Sequence, residues 1–222
     1  MVVSLQGLKT LQMTQVLEAL KWRYATKKFD AKRILSQDKI EIIKNAFNLT
    51  ASSFGLQPVK LLIINNKVLQ QKLLSVSMDQ QQVVDASHLL IFCVEKNIDS
   101  NYVDTYFNNV KAIRNTEDEV LAPFKEYLLD HFTTVSLEDK NLWATKQAYI
   151  TMGNLLTVCA LEKIDACPME GFSPDGYNEV LDLDNKGLRA VLVMPVGYRA
   201  EDDMFADLKK VRKDLKNAIL EL

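Results

Sequence analysis

At 222 residues the chain has the length of one domain with a sizeable core, and nothing in that length requires a second. Lysine and arginine number 27 against 29 aspartate and glutamate, so the formal charge of -2 excludes a general pull toward nucleic acid or an anionic membrane, and any phosphate site has to be local. The longest apolar runs, such as Leu61–Ile64 and Leu89–Val94, fall far short of the ~20 residues that cross a bilayer; no signal peptide is legible, and a cytoplasmic protein is the expectation.

In chain order, Thr14 is placed to cap a helix whose apolar face carries Leu17, Leu20 and Tyr24, and Ser36 to cap a second with Ile40, Ile43, Ala46 and Phe47 on one face. Val59–Ile64, broken only by Lys60, and Leu89–Val94 read as strands buried largely on both faces of a helix-covered sheet, separated by a helical segment from about Leu69 to Ala86. From Tyr102 to Phe132 the pattern is helical but interrupted at Pro123. Ser136-Leu137-Glu138-Asp139 resembles a capping box and opens a long helix with Trp143, Tyr149, Ile150, Leu155, Leu156 and Val158. Being apolar on much of its circumference, that helix belongs at the centre of the molecule. A short strand follows at Ile164–Ala166, and Ser173-Pro174 reads as an N-cap with proline at the first helical position. Ala190–Val196 is a further strand, which Pro195 marks as an edge or a strand end. The charged tail from Phe205 is a helix or an extended arm.

Three cysteines, Cys93, Cys159 and Cys167, sit in or beside apolar segments without paired spacing and read as reduced, buried thiols rather than metal ligands. His88, at the end of Asp85-Ala86-Ser87-His88, and His131 read as structural, because neighbours on one segment rarely reproduce triad geometry. Seven glycines form neither a dinucleotide fingerprint nor a P-loop. A nucleotide would then be held by side-chain cations and hydroxyls, which Arg23, Lys27, Lys210 and Arg212 with Ser52 and Ser53 can supply. Read alone, Arg23 and Lys27 are a solvated helix end, Lys209–Arg212 a water-facing charge run, Ser52-Ser53 a loop and Pro168–Gly171 a turn.

Their order changes that reading. Arg23-Tyr24-Ala25-Thr26-Lys27, Ser52-Ser53-Phe54-Gly55-Leu56-Gln57-Pro58, Asp79-Gln80-Gln81-Gln82, Pro168-Met169-Glu170-Gly171 and Lys209-Lys210-Val211-Arg212 together resemble the FMN-dependent nitroreductase family. The branch is the NAD(P)H-dependent one with oxygen-insensitive nitroreductase and dihydropteridine reductase activity, and the resemblance runs from about Leu17 to the C-terminus. It implies one α+β domain over residues 1–222, a central sheet surrounded by helices, in a homodimer with FMN at the interface. It implies that Arg23 and Lys27 hold the flavin, that Lys210 and Arg212 grip its phosphate, and that Ser52, Ser53, Gly55 and Gln57 approach the flavin of the neighbouring subunit. The Pro168–Gly171 loop would aim a backbone N–H at flavin N5, with Gly171 permitting close approach. Asp79 stands where the family commonly has Asn and can only accept, so Gln80 or Gln82 would supply the missing donor. The family's substrate-face aromatics fall by ungapped count on Leu128 and Leu129, with Phe124 a nearby candidate; Lys27 and Phe124 are the candidate substrate contacts. The implied reaction is ping-pong hydride transfer from NADH or NADPH through FMN to a nitroaromatic, quinone or pteridine-like acceptor. A flavin-storage protein without turnover and an oxygen-dependent flavin-fragmenting enzyme are the alternatives.

Overall fold

The computed structural model describes residues 15–222. Four strands, β1 (Val59–Ile64), β2 (His88–Glu95), β3 (Asp165–Ala166) and β4 (Leu188–Gly197), form one sheet in the order β1-β2-β4-β3 with every pair antiparallel. Alternation along β2 feeds two cores: Leu90, Phe92 and Val94 enter one cluster, and Leu89, Ile91 and Cys93 the other. Both faces are therefore covered, as the unbroken apolar run of β2 requires. In β4, Cys93 pairs with Ala190 but Phe92 with Leu192, leaving Val191 as the extra residue of a bulge.

The helix over residues 15–22 is α1; Thr14 lies outside the described residues. Leu17 and Leu20 are exposed rather than buried, and Tyr24 falls beyond the helix end, so within one chain α1 buries little of its apolar face. Helix α2 (Gln37–Asn48) forms as its pattern predicts: Ile40 and Ile43 are buried and Ala46 and Phe47 pack beside them. The expected single helix from 69 to 86 is broken into α3 (Lys67–Leu73) and α4 (Gln82–Asp85), because Met78 and Asp79 take left-handed φ of 54° and 51° between them.

Helices α5 (Ser100–Arg114) and α6 (Asp118–Thr134) meet at left-handed Asn115, not at Pro123, which sits in the second turn of α6 and removes one backbone donor without ending the helix. Helix α7 (Leu137–Leu161) starts where Ser136 Oγ accepts from the Asp139 N–H at 3.1 Å. It packs across all four strands, and Ala144, Ala148, Met152 and Leu155 are buried in the first core. It is not enclosed all round, since Leu142, Tyr149, Ile150 and Leu161 on its outer side are exposed.

Helix α8 (Pro174–Val180) opens at Ser173 as predicted, and its fully buried Tyr177 fills the second core beneath β4. Pro195 lies in an interior strand, contrary to the edge alternative. It is accommodated near the strand's end, where β3 has stopped and a single bond from Cys167 N–H to Pro195 O, 3.0 Å, replaces a ladder pair. The tail is an exposed arm with one short helix, α9 (Leu215–Ala218). No described helix is long and apolar enough to cross a membrane.

Candidate functional site

The segment after α1 extends the sheet at its β3 edge. Ala25 bridges Ala166 in parallel, and the Thr26 N–H donates to Ala166 O at 3.3 Å. Thr26 itself is fully buried with its hydroxyl 3.5 Å from Asp165 Oδ1, so it holds the segment in place instead of facing a ligand. Across from this segment the chain returns: Arg23, Tyr24, Ala25 and Lys27 line one wall of a cavity of about 330 Å³, and Phe205, Leu208, Lys209, Lys210 and Arg212 line the other. Cations separated by more than 180 residues of sequence thus share one pocket.

Arg23, Lys27, Lys210 and Arg212 make no ion pair with a carboxylate of the described residues, whose pairs involve other cations. Burial and the neighbouring Arg212 charge lower the Arg23 pKa, and burial followed by Arg23, Arg212 and Arg199 lowers that of Lys210. The cluster is electrostatically unsatisfied, and an anion would relieve it. Beneath it, Arg199 stacks 4.3 Å over Trp22 and 4.5 Å over Tyr24 while its Nε donates to the buried Asp165 at 2.7 Å. Lys27 Nζ lies 3.9 Å from Cys167 Sγ, whose pKa burial raises against the pull of Lys27.

Past β3 the chain keeps following β4, with Met169 N–H donating to Val193 O at 2.8 Å, and then turns at Glu170. Two flanking segments clamp this turn. The Tyr149 hydroxyl on α7 donates to Glu170 Oε1 at 2.6 Å, and Gln80 Nε2 donates to Gly171 O at 2.6 Å. Gln80 Oε1 in turn accepts from Gln82 Nε2 at 3.0 Å, so the 79–82 and 168–171 segments are one unit. A Cβ on Gly171 would stand 3.2 Å from Gln80 Nε2, a tight contact that would press on the Gln80–Gly171 hydrogen bond. The backbone N–H of Glu170 has no acceptor among the described residues. Pro168, Met169 and Glu170 line a second cavity, about 490 Å³, with Tyr149, Met152, Gly153, Leu156 and Leu192; Tyr149 and Glu170 bring its only polar side chains.

Other candidates lie apart. Ser53 N–H donates to Gln147 Oε1 at 2.8 Å, Ser52 Oγ accepts from Gln57 N–H at 2.9 Å, and Gly55 and Gln57 line a separate cavity beside α5. Within one chain this segment shares no cavity with the cations. Phe124, 41% exposed, stacks at 12° on Tyr127, which stacks at 17° on His131, in an aromatic cluster around Phe54. Leu128 is fully buried, and Leu129 lines a separate cavity between α5 and α6 with Val103 and Phe132. His88 is buried with Nδ1 2.8 Å from Ser87 Oγ, and its pKa is lowered by burial and by Lys67, in keeping with a structural role. Sequence reasoning missed Asp203, which carries no motif and stands in a run of three carboxylates with Glu201 and Asp202, and it read Tyr149 only as helix filling.

Comparison with known proteins identifies the family and the fold. A "Nitroreductase family" profile matches residues 20–198. A candidate NAD(P)H nitroreductase of Staphylococcus saprophyticus is 35% identical over 201 residues, covering 85% of this chain and 90% of the relative. Among solved structures, a nitroreductase-like protein from Streptococcus mutans superposes with a TM-score of 0.81 at 22% identity, covering 95% of this chain and 99% of the other. A candidate nitroreductase from Exiguobacterium sibiricum, solved in complex with FMN, superposes with a TM-score of 0.79 at 16% identity, covering 93% and 97% of the two chains. With its fold and most of its length matched, the chain belongs to the nitroreductase family.

Proposed function

We propose that this protein is a flavin oxidoreductase that binds FMN and passes hydride from NADH or NADPH to a nitroaromatic, quinone or pteridine-like acceptor. The observation that carries the reading is the cavity shared by Arg23, Lys27, Lys210 and Arg212, four cations without a carboxylate partner among the described residues. A dianionic phosphate monoester fits that charge, since charge-assisted bonds from guanidinium and ammonium are the strong ones. The FMN complex of the Exiguobacterium relative supports the choice of flavin.

When bound, FMN supplies the two-electron chemistry. The chain's own residues bind and orient. Arg23, Lys27, Lys210 and Arg212 hold the phosphate, the clamped Pro168–Gly171 loop presents the unpaired Glu170 N–H toward the ring, and Gln82 and Asp79 face its polar edge. No side chain is assigned as general acid or base. Ser52, Ser53, Gly55 and Gln57 act from a second copy of the chain. The exposed apolar residues of α1, of the outer side of α7 and of the arm support a homodimer.

Purification as a yellow protein with non-covalent FMN is expected, and a colourless protein that takes up no added FMN would overturn the reading. Replacing both Lys210 and Arg212 with Ala should weaken FMN at least ~10-fold more than riboflavin, because each charged hydrogen bond contributes about 1.5–3 kcal/mol. Steady-state NAD(P)H oxidation with parallel double-reciprocal lines is the expected kinetic result, whereas flavin binding without turnover would leave a storage protein.

A further inference from the structure

The two walls of the cationic cavity belong to distant parts of the chain, and one buried carboxylate joins them. Asp203 is 4% exposed. Its Oδ2 accepts from the Tyr24 hydroxyl at 2.8 Å, from Lys27 N–H at 3.0 Å and from Lys28 N–H at 3.1 Å, and its Oδ1 accepts from Phe205 N–H at 3.1 Å. Three of these donors lie in the segment that carries Arg23 and Lys27, and the fourth begins the arm that carries Lys210 and Arg212. The backbone closes the same joint, with Ala200 N–H on Lys28 O at 2.9 Å and Ala206 N–H on Asp203 O at 2.9 Å.

We propose that Asp203 is a positioning residue that sets the two cationic walls at the separation a phosphate needs, and so confers the preference for a phosphorylated over an unphosphorylated flavin. The inference rests on the FMN reading above. A carboxylate that pairs with the cavity's cations would compete with a phosphate for them, but Asp203 does not line the cavity and makes no ion pair with them. Its Oδ2 is filled by three local donors and its Oδ1 accepts from the arm, so the carboxylate is engaged within the joint and the cations remain available. Burial works to raise the Asp203 pKa, but the bonds from Tyr24, Lys28, Phe205 and Lys27 outweigh it and hold the carboxyl below its ordinary range. The acceptor is therefore anionic at neutral pH.

Asp203→Asn replaces one oxygen with an NH2 group that faces N–H donors, which loosens the joint while keeping side-chain volume. Fluorescence titration of the flavin-free protein with FMN and with riboflavin reads the effect. In Asp203→Asn, FMN should weaken at least ~10-fold and riboflavin less than ~3-fold. Tyr24→Phe, which removes one of the four donors, should give a smaller loss with the same selectivity and serves if Asp203→Asn does not fold. A wild-type preference for FMN that both variants retain, or equal losses of the two flavins, would overturn the role of Asp203 alone. A wild-type protein that binds neither flavin would overturn the functional reading beneath it.

Discussion

The hydroxyl of Tyr149 donates to the carboxylate of Glu170 across 2.6 Å and ties the long helix α7 to the turn after β3. The hydrogen bond to Glu170, followed by burial and then the Glu170 charge, raises the Tyr149 pKa above the ordinary tyrosine value. A proton held more tightly in the folded state contributes stability that is fully present below the unfolded tyrosine pKa and is lost as pH rises through the higher folded value. Glu170→Gln should therefore bring Tyr149 ionisation down toward that of a free tyrosine. Ultraviolet titration, with Tyr149→Phe supplying the difference spectrum, checks this; an unchanged midpoint would contradict the contact.

At the same turn, the main-chain donor and the side chain can be separated. Glu170→Gln keeps the N–H, and flavin reduction in a stopped-flow experiment should change by less than ~10-fold. Glu170→Pro deletes the donor and should slow hydride uptake by more than ~100-fold in flavin-saturated protein. Loss of reduction in Glu170→Gln with retention in Glu170→Pro would transfer the role to the carboxylate.

The three cysteines should resist thiol reagents until the protein unfolds. Cys93, Cys159 and Cys167 are all buried, and burial pushes the first two up to about 12, so almost no thiolate exists at neutral pH. Labelling in increasing urea should follow the loss of ellipticity. A thiol labelled fully in native buffer would show that its surroundings open.

Leu155 is fully buried where α7 crosses the sheet. Leu155→Ala should cost about 2–5 kcal/mol of unfolding free energy, measured by urea denaturation, with the upper part of that range expected where the surrounding strands cannot collapse into the space. A loss below ~1 kcal/mol would mean that the site is not close-packed.

Light scattering should report a dimer. Leu17, Leu20, Ile150 and the arm residues Leu208, Val211 and Leu215 are exposed in one chain, and an apolar surface of that extent is normally covered. A flavin-bearing monomer would contradict both the dimer and the assignment of Ser52 and Ser53 to a neighbouring site.

Local chemistry made much of the scaffold legible. The apolar runs of β1, broken only by Lys60, and of β2, the Ser36 and Ser136 caps and the Ser173-Pro174 start are each decided within a few residues, and each appears where its pattern places it. The reading that failed depends on neighbours: the 69–86 helix breaks at Met78 and Asp79, where the turn is pinned through Gln80 to Gly171; of the two alternatives at Pro195 the strand end holds, and β3 ends beside it. The site divides in the same way. Arg23, Lys27, Glu170, Lys210 and Arg212 were nominated by the resemblance that their order carries, since read alone they are a helix end, a turn and a charge run. That Thr26 faces inward, that Tyr149 meets Glu170 and that Asp203 joins the cavity walls were decided only by tertiary structure. Those roles come from distances between residues 21 to 179 positions apart, which folding sets and no local pattern encodes.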